Sequence, residues 1–210
     1  NVLFTVALLF SLIGLVINTN VECKYRPPVM DKKKMSLDRF ILLKGWSQGI
    51  CIALVATAYG ILSTYVAIYS RDVLDITTGT GTFFMLFAIG LIMSRFVGVK
   101  ALSKGYAVRN ATYGVIFVVI GYSIFAFWQN LFGYYISAVV IGFGQGSMYP
   151  AVQTMFLNMA PNEQRGTANS TILTSWDLGI GIGIIGGGYV AEHLGGYNSA
   201  FIMSAVVSVL

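Results

Sequence analysis

Residues Ile141–Val190 read IGFGQGSMYPAVQTMFLNMAPNEQRGTANSTILTSWDLGIGIGIIGGGYV. Two apolar runs flank one short polar connection, Ala160 to Ala168. Both runs carry glycine at a density that would melt a helix in water, where each glycine costs about 1 kcal/mol relative to alanine. In hydrocarbon the balance changes, because backbone groups have no water to bond to and small residues let helices approach closely. The stretch therefore reads as a hairpin of two membrane helices. Its second run also holds an acid, Asp177, between Trp176 and Leu178. An ionisable side chain at that depth is costly, which marks it as a candidate functional group.

The whole chain fits that reading. Of 210 residues, 56% are hydrophobic and 10% charged, and mean hydropathy is +0.76. A soluble domain carries roughly 25% charged residues, so the composition is that of an integral membrane protein. The net charge of +5 does not point to nucleic acid, because the basic residues lie in short connections between apolar runs. The chain opens at Asn1 and both ends fall inside apolar runs, so a piece of a longer protein is expected. Asn1–Ile17 lacks the basic leader and small-residue cleavage site of a secretory signal and reads as a clipped transmembrane helix. Cys23 lies in a basic connection and Cys51 inside an apolar run. They sit at different depths, which disfavours a disulfide. With no CxxC or HExxH and a single histidine, His193, neither a metal nor another cofactor is expected.

A helix needs about 20 apolar residues to cross the hydrocarbon core. Seven runs qualify in whole or part: Asn1–Ile17, Trp46–Tyr69, Gly79–Val97, Ala111–Trp128, Leu131–Leu157, Asn169–Val190 and Tyr197–Leu210. The expected organisation is an all-α polytopic bundle, with a helix at 1–17, a cytoplasmic linker at 18–45 and a helical half at 46–210 whose last helix is clipped. Twelve of the thirteen basic residues fall in the connections Asn18–Lys44, Ser94–Asn110 and Ala160–Ala168, and only Arg71 falls on the other side. By the positive-inside rule those connections face the cytoplasm. Asn1 is then outside and Leu210 heads inward, in a plasma (inner) membrane. Ser36 can cap a short amphipathic helix within the linker, although a tether carrying topology charges explains it as well.

Candidate chemistry follows the helical period. Ser170, Thr174, Asp177 and Gly181 follow at spacings of four, three and four and share one face. Asp177 lies about 12 Å into a core of about 30 Å. It reads as a proton- or cation-binding carboxylate beside a polar path, or as a structural acid bonded to a neighbouring helix. Gln145, Tyr149 and Gln153 form a second stripe at spacings of four. Its amides and phenol suit a polar substrate, and glutamines also serve as interhelical glue. Thr57 and Tyr59 extend the candidate cavity. Tyr65, Tyr69, Trp128, Tyr134 and Tyr135 lie near the outer boundary and read as an interfacial belt. Gly179 and Gly183 read as close-packing positions that leave helices free to rock.

A family resemblance rests on these residues. Pro150-Ala151, then Pro161-x-Glu163-x-Arg165-Gly166-x-Ala168, then Asp177-Leu178-Gly179, Gly183 and Gly187-Gly188 resemble the tenth and eleventh helices of major facilitator superfamily transporters. On that resemblance Asn1–Ile17 corresponds to the sixth helix, 18–44 to the central cytoplasmic loop and 46–210 to helices seven to twelve. Two departures stand out. In the echo of the family's G-x-x-x-D-R-x-G-R-R loop, Gly98 and Gly105 keep the spacing, but Leu102 replaces the acid and Tyr106 follows the second glycine. Arg95 and Arg109 remain as gate or topology charges, with Arg165 and Gly166 as gate residues in the next cytoplasmic loop. Gly179-x-x-x-Gly183-Ile184 resembles the antiporter signature G-x-x-x-G-P, with Ile184 in place of proline.

The resemblance implies a secondary transporter of a small solute, working by alternating access in the efflux and permease branch and coupled to protons or a cation. It implies five further upstream helices and no enzymatic activity. No Walker-type glycine loop supports ATP hydrolysis. Two other readings are a seven-helix receptor and a lipid-modifying enzyme. The third run ends without a D-R-Y-like triplet, and Glu192-His193 lacks a third partner.

Overall fold

A computed structural model describes residues 2–20, 41–76 and 79–209. The chain divides into two units, Asn1–Met35 and Ser36–Leu210. The first holds α1 (Val2–Thr19), an apolar helix whose Ser11 hydroxyl donates to the Ala7 carbonyl and whose Thr19 and Asn20 donate to that of Val16. Such internal satisfaction is what hydrocarbon demands of polar groups. Cys23 and most of the linker, including the capped helix expected from Ser36, lie outside the described residues.

The second unit holds α2 (Trp46–Asp72), α3 (Gly79–Ser103), α4 (Ala107–Phe127), α5 (Leu131–Met159), α6 (Arg165–His193) and α7 (Tyr197–Val209). No strand occurs among the described residues. Three stretches, Leu43–Asp72, Gly79–Ser103 and Ala107–Phe127, are long and apolar enough to cross a membrane. At 29 residues each, α5 and α6 are longer than α3 and α4, and only their glycine and polar content lowers their hydropathy. The chain is a multi-pass membrane bundle.

Local chemistry sets the helix boundaries. Asn130 caps α5, its side-chain oxygen accepting from Gly133 N–H at 2.8 Å. Pro161 follows the extended Ala160 and ends α5. Gly105, at φ +80, turns the chain between α3 and α4. Helices begin at Trp46, Gly79, Leu131 and Tyr197, where the apolar runs begin. Elsewhere they outrun the apolar segments. Helix α3 continues to Ser103 and α4 starts at Ala107, so the expected loop 94–110 shrinks to three residues and Arg95 lies inside α3. Hydropathy marks the edge of hydrocarbon, whereas the hydrogen-bond ladder continues past it.

The packing is crossed. The second unit contains two consecutive triplets, α2–α4 and α5–α7. The first helix of each packs mainly on the second and third helices of the other: α2 on α6 and α7, α5 on α3 and α4. Neighbours α2 and α3 barely touch, and α5 and α6 touch little more. Glycine makes the crossed contacts. A Cβ at Gly183 would strike the Thr57 carbonyl, and one at Gly142 would strike that of Phe87. One at Gly144 would come within 2.7 Å of the Gly114 carbonyl oxygen. Tyr69, Phe83, Phe125, Tyr134 and Phe201 fill the space where α2, α3, α4, α5 and α7 converge. Neighbouring ring centroids in this cluster lie 4.5–5.8 Å apart. This corrects the belt expectation for Tyr69 and Tyr134, each 1% exposed. Their faces turn inward to the bundle, while Trp128 stays exposed.

Candidate functional site

The seam between the α2–α6 and α3–α5 pairs holds a cavity of about 370 Å³, within the usual range for small-molecule pockets. Four helices line it. Tyr59 comes from α2, Phe87, Leu91 and Arg95 from α3, Gln145 and Tyr149 from α5, and Leu173 and Trp176 from α6. Tyr59, Leu91 and Gln145 stand at the middle of their helices, so the cavity sits at mid-helix depth. The crossed packing positions these side chains. Phe87 and Leu91 press their backbones against Gly142 and Gly146 of α5, which fixes where their side chains emerge.

The wall is a chain of aromatic contacts through all four helices. The Phe87 ring lies 6.0 Å from that of Tyr59, Tyr59 lies 5.6 Å from Trp176, and Trp176 lies 5.5 Å edge-on from Tyr149. The polar groups are few. Gln145 is 5% exposed, and its Nε2 has no hydrogen-bond partner among the described residues. Arg95 is exposed on the rim and is the one charged residue in the lining.

Of the residues singled out in the sequence, Tyr59, Gln145, Tyr149 and Arg95 come together here. The others lie elsewhere. Thr57 is buried at the α2–α6 contact, its hydroxyl donating to the Ala53 carbonyl at 2.8 Å. Gln153 bonds Asn169 across α5 and α6, Nε2 to Oδ1 at 3.3 Å. Ser170, Thr174 and Asp177 form an exposed strip of α6, facing away from the glycine face that packs on α2. Asp177 has no hydrogen bond or ion pair among the described residues. Gly179 and Gly183 press on the Ala53 and Thr57 carbonyls. Arg165 and Gly166 open α6 as its first exposed residues. Arg109 stands over the Tyr113 ring at 5.5 Å, in α4.

Trp176, Phe87, Leu91 and Leu173 were not legible as site residues. For Trp176 and Phe87 the one available signal was an aromatic residue in the central part of the span, and Leu91 and Leu173 carried none.

The family model of the Major Facilitator Superfamily matches residues 106–210, from the start of α4 through α7. This chain belongs to the major facilitator superfamily. Membership makes it a membrane transporter, from a family of transporters rather than enzymes. The matched segment supplies half of the cavity, Gln145 and Tyr149 from α5 and Leu173 and Trp176 from α6. The crossed triplets agree with the internal repeats on which such transporters are built.

Proposed function

We propose that this chain moves a small solute by alternating access, with the aromatic cavity as one wall of the path. The observation that carries this reading is the cavity's place. It lies at mid-helix depth, on the seam where neighbouring helices touch least. Secondary transporters hold their substrate near the midplane, at the interface between repeats.

Coupling to protons or a cation is assigned to Asp177. Its carboxylate is one residue from Trp176 of the cavity wall and has Ser170 and Thr174 along the same face. It is also free of protein partners among the described residues, as a group that must load and release an ion should be. Outward movement of the solute across a plasma (inner) membrane is proposed from the antiporter-like glycines of α6. The basic connections would then lie on the cytoplasmic side.

The test is transport by the full chain in proteoliposomes with an imposed pH gradient, read with a pH-indicator dye as solutes of differing charge are added. Asp177→Asn keeps shape and hydrogen bonding but cannot ionise. It should remain folded and lose gradient-driven transport. If the gradient drives the asparagine variant as well as the parent, Asp177 is not the coupling group.

A further inference from the structure

We propose that the solute is a planar organic anion, an aromatic ring system carrying a carboxylate or similar acid. The inference rests on the cavity being the solute site.

Three features of the wall converge on this class. The first is shape. Tyr59, Trp176, Tyr149 and Phe87 present ring faces and edges from four helices, and flat rings gain most from such a wall through offset or edge-to-face contact. A sugar or other strongly hydrated solute would need a dense set of hydrogen-bond partners, and the lining offers few. The second is charge. An aromatic cage alone also suits a cation, attracted by the ring faces. Here the only charged residue of the lining among the described residues is Arg95, and no described acid lines the cavity. Asp177 is next to Trp176 in sequence but lies on the exposed strip outside the lining. A cationic solute would meet repulsion from Arg95 without a counter-charge, while an anion would meet a guanidinium whose planar fork matches a carboxylate. Arg95 has no ion-pair or hydrogen-bond partner among the described residues, so no described acid competes for it. The third is the unpaired donor. A buried amide N–H without an acceptor is costly; Gln145 Nε2 is shielded from solvent, and a turn of its amide toward a bound acid would satisfy it. Arg95 follows Leu91 by one turn on α3, which puts the positive charge at one end of the aromatic wall. The ring would then stack mid-cavity with its acid directed toward the Arg95 end.

Isothermal titration of the full chain in lipid nanodiscs tests this with three probes of one shape: 2-naphthoate, 2-naphthalenemethanol and 2-naphthylmethylammonium. The anion should bind at least about tenfold tighter than the other two. Arg95→Gln should remove about that factor for naphthoate and leave the alcohol unchanged, and Arg95→Lys should restore part of it. Tyr149→Leu should weaken whichever probes bind. The proposal is overturned if the alcohol or the ammonium binds as tightly as naphthoate, if naphthoate does not bind, or if Arg95→Gln leaves naphthoate affinity intact. These results differ from failure of the cavity itself. In that case Tyr149→Leu would change neither the binding of any probe nor gradient-driven transport.

Discussion

The seam inside the α3–α5 pair and the seam between the two helix pairs cross the membrane at the same depth, yet they are built from opposite materials. Inside the pair, glycine meets backbone. A Cβ at Gly142 would lie 2.9 Å from the Phe87 carbonyl carbon, and one at Gly146 would lie 3.0 Å from Leu91 Cα. Between the pairs, Phe87 meets Tyr59 and Trp176 meets Tyr149, ring against ring, around a cavity. Close backbone contact gives many dispersion contacts and a single well-defined geometry. Large rings around a cavity give fewer contacts and room for a second arrangement. The difference teaches where a solute can be held: the glycine seams leave no room between helices, and the aromatic seam does.

The largest expected effect breaks the glycine side of this contrast. Gly142→Leu forces a side chain into the Phe87 backbone, and the protein should fail to give a monodisperse peak on size-exclusion chromatography. Even small overpacking costs about 1–3 kcal/mol. Gly181→Leu is the control, because nothing lies within 4 Å of a Cβ there, and it should behave as the parent.

On the aromatic side, Trp176→Leu removes two ring contacts from the wall. The fold should persist, and affinity for an aromatic solute should fall by up to roughly tenfold, as expected for losing one ring contact to the solute worth about 0.5–1.5 kcal/mol. Equilibrium binding in nanodiscs measures it. A folded variant with undiminished affinity would place the solute elsewhere.

An effect on stability alone concerns the strap across the ends of α5 and α6. Leu42 is fully buried, and its N–H donates to the Thr171 hydroxyl of α6 at 2.9 Å. Gly45, three residues later, packs on Phe156 of α5. This strap joins the two pairs away from the cavity. Thr171→Val leaves the Leu42 N–H without its acceptor and should lower stability by about 1–3 kcal/mol, with solute affinity unchanged. Thermal unfolding in detergent reads the first and titration the second.

Much of the fold was legible in the sequence because hydrophobic run length and loop charge are strong signals in a bilayer. Pro161 and the glycine-rich hairpin around it located α5 and α6, and the start of α2 fell at Trp46. The exit from α3 was not legible. Arg95 and Lys100 look like loop charges, but charge ends an apolar run without ending a helix. The site was half legible. Gln145 and Tyr149 stood out as polar residues at helical spacing in an apolar span. The same spacing swept in Gln153, which sits one turn too far along and bonds Asn169 instead. Thr57 turned to its own backbone, as hydroxyls in membrane helices readily do. Trp176 and Phe87 carried no such mark, since an aromatic residue in an apolar span reads alike whether it faces lipid, a neighbouring helix or a cavity.

Solvent access at mid-membrane depth tests the division into closed and open seams most directly. Single cysteines are placed at Leu91, in the cavity wall, and at Val118, fully buried against Gly144, with Cys23 and Cys51 replaced by serine. Both variants are exposed in membranes to a charged, membrane-impermeant thiol reagent. The cysteine at Leu91 should label, the one at Val118 should not, and 2-naphthoate should protect the first. Equal labelling at the two positions, or no labelling at Leu91 from either side of the membrane, would contradict a solute cavity between the pairs.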